Sequence, residues 1–223
     1  MTPKPVPVLP RVAPTPELIT KERFIAITQI VIDHFESGYF HPNMTKRMSQ
    51  TDRNRLAASG ETMYGLDRKA GIELAKFNPE WTEFWALIDK ADAKTRWDHY
   101  YMGDPAIRPR LKELAASIMF RWFNELSRRY LTSSSIEKIA KDDRLILHFA
   151  YACWNGPGWF QKYGIALKEA TGTRNEIFNK AIQARTQAVS KNKLGILVAN
   201  QTIRNQGDKM VKLIAARGMT AVA

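Results

Sequence analysis

Three short stretches of this chain hold residue types at spacings that suit chemistry on a carbohydrate. The first is His34-Phe35-Glu36-Ser37-Gly38-Tyr39. A carboxyl held against Phe35 and Tyr39 has its charged form disfavoured, which raises its pKa. Raised in that way, it stays protonated near neutral pH and can protonate a leaving glycosidic oxygen. Taken alone, Glu36 reads first as a surface residue near a helix C-terminus, where the helix dipole disfavours negative charge. The second stretch is Ser59-Gly60-Glu61-Thr62-Met63-Tyr64-Gly65-Leu66-Asp67. Two glycines bracket a short extended piece carrying an acid, a hydroxyl and an aromatic ring, the materials of one wall of a cleft. The third is Tyr151-Ala152-Cys153-Trp154-Asn155-Gly156-Pro157-Gly158-Trp159-Phe160. Sugar C–H faces stack on aromatic rings while an amide binds polar edges. The same residues also describe a helix C-cap at Asn155-Gly156 with two core tryptophans.

The elements that must position these stretches are helical. Phe24, Ile27, Val31 and Phe35 predict a first helix that starts at Thr15-Pro16-Glu17 and runs to about Glu36, stopping at Ser37-Gly38. Trp81, Phe84, Trp85 and Ile88 repeat at i, i+3, i+4, i+7. Leu111, Leu114, Ile118 and Trp122 line a second helix, and Leu145, Phe149 and Cys153 a third. Two more helices are expected over about Glu176 to Lys191 and Leu194 to Arg217. Between Gly38 and Gly65 periodicity weakens: a short helix over Thr51 to Ala58 and a small strand edge at Thr62 to Gly65 fit best.

Composition narrows the classes. The chain has 223 residues, 44% hydrophobic and 25% charged, which fits one domain with extensions. The segment from Thr2 to Pro16, with Pro3, Pro5, Pro7, Pro10, Pro14 and Pro16, reads as a flexible arm over 1–16. A catalytic domain over 17–170 and a basic helical extension over 171–223, packed on or following it, complete the expected organisation. No apolar run reaches the roughly 18 residues of a spanning helix, and Met1 to Pro16 lacks an apolar signal core. The single cysteine, Cys153, excludes an internal disulfide and reads as a buried small residue. His34, His41, His99 and His148 show no metal-ligand spacing with acids, and no phosphate-cradling Gly-x-x-x-x-Gly-Lys-Ser/Thr loop is present. With 34 basic and 22 acidic residues the net charge is +12, so the surface attracts polyanions: nucleic acid, anionic lipid or an anionic bacterial wall.

The order of the three stretches resembles the lysozyme-like superfamily, and within it the phage-type N-acetylmuramidases. Their first helix ends in a catalytic Glu-Gly-Gly-Tyr and is followed by Gly-Gly-x-Thr-x-Tyr-Gly-Ile. The corresponding residues here are Glu36-Ser37-Gly38-Tyr39 and Gly60-Glu61-Thr62-Met63-Tyr64-Gly65-Leu66. Soluble lytic transglycosylases are similar too: Glu36-Ser37 looks like their catalytic Glu-Ser. Trp154-Asn155-Gly156-Pro157-Gly158 looks like their Tyr-Asn-Ala-Gly-Pro-Gly turn. Trp97-Asp98-His99-Tyr100-Tyr101 falls where such muramidases carry an aromatic pair on a middle helix. The resemblance spans about Phe24 to Lys168.

What the resemblance implies is an all-α, lysozyme-like fold with at most a small β-hairpin after the first helix. It implies cleavage of the β-1,4 bond between N-acetylmuramic acid and N-acetylglucosamine, with Glu36 as general acid and Thr62 or a nearby acid positioning water. Sugar contacts fall to Tyr39, Glu61, Tyr64, Gly65, Trp154, Asn155 and Gly156. No cofactor and no metal is required. The implied partners are peptidoglycan glycan strands, anionic cell-wall polymers on the basic surface, and other virion proteins. The implied setting is a phage endolysin or virion-associated lysin, made in the host cytoplasm and acting on the periplasmic or external wall. Three departures stand out. The loop between Glu36 and Thr62 is longer than the muramidase hairpin and carries Lys46, Arg47, Arg53 and Arg55. Ser37 replaces a glycine, as in transglycosylases. No second catalytic carboxylate is evident, with Glu61 and Asp67 as candidates. A transglycosylase would use Glu36 alone, as acid and then base. A different class, a basic helical virion or nucleic-acid-binding protein, is kept open by Lys180, Arg185, Lys191, Lys193, Arg204, Lys209, Lys212 and Arg217.

Overall fold

Phe24, Ile27 and Val31 recur at helical spacing, and in the computed structural model all three are fully buried on α1 (Lys21–His34). The structure describes residues 18–34, 39–40, 61–69, 78–90, 106–190 and 208–217. Helix α1 starts later than Thr15-Pro16 suggested. Residues 18–20 form a turn and Thr20 is the cap, its Oγ1 accepting from the Arg23 backbone N–H at 3.2 Å. Ile19 before the cap and Phe24 inside the helix are both buried, the positions of a hydrophobic staple that fixes the entry of the chain. The last described residue of the helix is His34, so Glu36 lies outside the described residues.

A small antiparallel sheet follows: β1 (Tyr39–Phe40), β2 (Thr62–Met63) and β3 (Leu66–Asp67), in that order. Tyr39 pairs with Met63, Phe40 with Thr62, and Thr62 with Asp67. The expected hairpin is β2–β3, and β1 adds a third strand to its edge. The anticipated helix over Thr51 to Ala58 and the aromatic pair within Trp97 to Tyr101 lie outside the described residues.

The remaining described structure is helical: α2 (Pro79–Lys90), α3 (Arg108–Tyr130), α4 (Ser133–Ala140), α5 (Asp143–Asn155), α6 (Pro157–Glu169), α7 (Arg174–Ser190) and α8 (208–216). The expected stripes are the buried ones. Trp81, Phe84, Trp85 and Ile88 are buried on α2; Leu111, Leu114 and Ile118 on α3, with Trp122 half-buried; Leu145, Phe149 and Cys153 on α5. Helix α1 packs against α3 and α5, α2 against α3, and α6 against α5 and α7. Where they converge, Phe24 meets Phe123 (centroids 4.9 Å apart), Phe123 meets Phe160 (5.8 Å) and Phe160 meets Phe149 (5.2 Å). The described parts of the C-terminal stretch belong to this same core. Phe178 and Ala181 of α7 and Met210 and Ile214 of α8 are buried in it. Among the described residues no helix is long and apolar enough to cross a membrane.

Candidate functional site

A two-residue loop joining Met63 to Leu66 must turn with the right-handed twist of its strands, which calls for positive φ at both loop positions. Gly65 supplies φ 70° without cost, but the other position is Tyr64, at φ 50°. A bulky residue there is strained by roughly 1–2 kcal/mol, so its surroundings must hold it. They do so in two ways. The Tyr64 ring is only 2% exposed, and its carbonyl accepts a 2.8 Å hydrogen bond from the Trp154 indole N–H.

Trp154 stands in the last turn of α5, just before Gly156, the sole residue between α5 and α6. Gly156 has φ 91° and ψ 170°, a region that is essentially glycine's alone. Pro157 then opens α6, and the backbone N–H groups of Trp159 and Phe160 donate to the Gly156 carbonyl. The corner thus aims Trp154 back at the hairpin, and two stretches far apart in sequence are joined by one bond. Pairing of Tyr39 with Met63 brings the first stretch to the same sheet.

Around the hairpin the charges are mostly committed. Glu61, 7% exposed, accepts from Arg68 Nη1 at 2.9 Å. Arg68 also grips both carboxylate oxygens of Asp89 on α2 (2.8 and 2.7 Å) and lies 5.0 Å over the Trp85 ring. This arginine fastens the hairpin to α2. Thr62, itself buried, donates its hydroxyl proton to Asp67 Oδ1 at 2.7 Å. Its hydroxyl therefore offers a water only acceptor lone pairs.

The end of α1 next to this sheet is cationic. Asp33 is bridged by Lys112 of α3 (2.5 Å) and Arg217 (3.2 Å), and Lys209 of α8 donates to the His34 carbonyl at 3.4 Å. The Tyr64 hydroxyl has its pKa pushed up to about 12 by burial; Arg108 pulls it down and Asp33 pushes it up, both less strongly. Tyr64 is accordingly a neutral hydrogen-bond donor over the physiological range.

The residues expected to form the site fare unequally. Tyr39, Glu61, Thr62, Tyr64, Gly65, Trp154 and Gly156 come together through the sheet and the Trp154 bond. Tyr39 and Asn155 are described for their backbone only, and Glu36 lies outside the described residues. Tyr64, read as a platform for a sugar, is enclosed in the core and has no ring face open to one. Glu61 is bound to Arg68, and Asp67 accepts from Thr62. Cys153 is buried, with its thiol bonded to the Phe149 carbonyl at 3.3 Å and its pKa pushed well up by burial, the state of an unreactive thiol. Arg68, Arg108, Lys112 and Asp33 were not singled out in the sequence, where they are four charges in a highly charged chain.

Against known proteins there is no match: no family model, no curated protein and no solved structure corresponds to this chain.

Proposed function

We propose that the protein is a peptidoglycan-cleaving glycosidase that breaks the β-1,4 bond between N-acetylmuramic acid and N-acetylglucosamine, with Glu36 as general acid. The observation that supports this most is the bond from Trp154 to the Tyr64 carbonyl, together with the pairing of Tyr39 against Met63. The three stretches that resemble muramidases in sequence become neighbours, in a helical protein whose small sheet follows the first helix. Glu36 stands in sequence between the last described residue of α1 and β1. The +12 charge suits an anionic wall, and phage lysins, free or virion-borne, are the implied class.

Hydrolysis is the reading we favour, because Thr62-Met63-Tyr64-Gly65-Leu66 follows the muramidase pattern nearly position for position. One observation favours the lytic transglycosylase alternative: Glu61, a candidate second carboxylate, is held by Arg68. The test is digestion of purified peptidoglycan in ¹⁸O-labelled water. Glu36→Gln lowers release of glycan fragments by about 10² to 10⁴-fold while the protein stays folded, the usual contribution of general acid catalysis. Hydrolysis leaves the label on new reducing-end muramic acid. Unlabelled 1,6-anhydro products alone assign the transglycosylase reaction, and a fully active Gln variant removes Glu36 from the mechanism.

A further inference from the structure

The two ends of α1 open onto different surfaces. The C-terminal end leads toward the hairpin and Glu36, and Lys21 stands at the other, about 20 Å away along the axis. Beside Lys21 lies an open groove of about 610 Å³, lined by Lys21, Phe120, Arg121, Asn124, Glu125 and Arg128. That volume is typical of a ligand site. The five α3 positions are spaced i, i+1, i+4, i+5 and i+8, a stripe two rows wide, so the groove follows α3 for about 12 Å.

Among the described residues, four cations share two carboxylates here, and each carboxylate is taken closely by one arginine. Glu80 of α2 meets Arg121 through both oxygens, at 3.0 and 2.8 Å, but Lys21 only at 3.9 Å. Glu125 meets Arg129 at 2.7 Å but Arg128 only at 3.6 Å. The Lys21 ammonium makes no hydrogen bond among the described residues. Arg128 makes one, a long 3.3 Å bond from Nε to the Asn124 carbonyl. Glu80 places Lys21 level with Arg121, seven residues of α3 before Arg128, so the two loosely held cations stand roughly 10 Å apart along the groove. Between them Phe120, half-buried and fixed against Phe24 at 5.3 Å, offers an apolar surface. Asn124 offers an amide and Glu125 an acceptor. An uninterrupted polyanion suits this poorly, because Glu125 opposes it. Negative groups spaced apart, with hydroxyls and C–H faces between them, suit every position. Nucleic acid also has spaced phosphates, but its bases call for several stacking rings, and one ring lines this groove.

We propose that this groove is an accessory binding site for a phosphate-bearing polyol polymer of the bacterial wall. Lys21 and Arg128 each take a phosphate, the arginine through its planar fork. Asn124 and Glu125 bind hydroxyls of the polyol, and Phe120 packs on its C–H face. The site anchors the protein and takes no part in bond cleavage. Assigning the polymer to the wall rests on the proposed function; the preference for spaced phosphates does not.

The test is calorimetric titration of the full chain, at physiological ionic strength, with purified teichoic acid, with uncharged chitin tetrasaccharide and with single-stranded DNA. Teichoic acid is expected to bind more tightly than DNA, and Lys21→Gln combined with Arg128→Gln to weaken it about tenfold. Both side chains are exposed, so the double variant keeps its fold. Arg110→Gln combined with Lys162→Gln removes the same charge away from the groove and changes binding by less than about twofold, because distant exposed charges are screened. Any binding of the tetrasaccharide is the same in the groove variant as in the wild type. Equal losses in the two double variants, tighter binding of DNA, a matching loss for the uncharged sugar, or no binding of teichoic acid would overturn the proposal. Glu36→Gln binds teichoic acid like the wild type, and the groove variant cleaves soluble peptidoglycan free of teichoic acid at the wild-type rate. A failure of the catalytic reading is therefore seen in cleavage, and a failure of this one in binding.

Discussion

The helices from Thr132 to Thr173 and the hairpin end of the molecule obey different rules. In the first region the described helix ends are finished by side chains, apart from the α5–α6 corner at Gly156, which belongs to the site. Thr132 caps α4 through Ser135 N–H at 3.2 Å, and Asp142 caps α5 through Arg144 N–H at 2.9 Å. Lys138 reaches the carbonyls of Leu167 and Ala170 (3.0 and 2.8 Å) at the end of α6. Thr173 and Glu176 cap each other's backbone at α7, with Glu176 Oε2 accepting from Thr173 N–H and Glu176 N–H donating to Thr173 Oγ1. At the hairpin end a tyrosine occupies a left-handed turn position, α3 begins without a cap, and a phenol and a guanidinium nitrogen are buried unpaired. Local rules are kept where the chain only has to fold and broken where three motifs meet, the pattern expected of a binding or catalytic site.

That contrast can be broken by mutation. The largest effect belongs to Trp154→Phe, which keeps an aromatic ring but strands the Tyr64 carbonyl. Stability falls by about 1–3 kcal/mol in urea unfolding, and wall lysis by the still-folded protein falls with it. Normal lysis by that variant would make the Trp154 bond purely structural. Next comes Thr132→Ala in the well-capped region, costing about 1 kcal/mol. Its lysis per folded molecule stays at the wild-type level, and a loss there would erase the distinction between the two regions.

The smallest effect concerns acid. Burial alone would raise the Glu80 pKa, but the hydrogen bond from Arg121, with Lys21 nearby, brings it below 4.5. A carboxylate whose folded pKa is depressed contributes stability above its unfolded pKa and loses it as pH falls through the folded one. Glu80→Gln should therefore flatten the fall in urea midpoint below pH 4.5 and leave the hairpin end untouched. An unchanged acid slope would show that other carboxylates carry it.

Much of the fold was legible because the residues behind it obey a period. Trp81, Phe84, Trp85 and Ile88 can share only one face of a helix, and the described α2 buries all four. The eight residues of α4 were not legible: three serines open it, and its stability comes from a cap and from packing. The start of α1 was misplaced because Thr15-Pro16 and Thr20 are both sound helix openers, and burial of Ile19 decides between them. The site was legible as motifs and not as contacts. Nothing local marks Tyr64 as enclosed and not exposed, since both kinds of tyrosine sit next to glycine in turns. Arg108 precedes a proline and gives no sign in sequence that its guanidinium lacks a partner.

The bonds from the C-terminal part of the chain to α1 have a consequence for biosynthesis. Lys209 donates to the His34 carbonyl, while Arg217 reaches the Ala26 carbonyl at 3.3 Å and the Asp33 carboxylate. These contacts close loops of 175 to 191 residues, and contacts that distant form late because so much chain must be ordered first. During translation, helix α1 therefore emerges early but waits for its last braces until residue 217 has cleared the ribosome. The helix that leads toward Glu36 is thus completed by residues made long after it, and a nascent chain stalled before residue 208 lacks Met210 and Ile214 from its core.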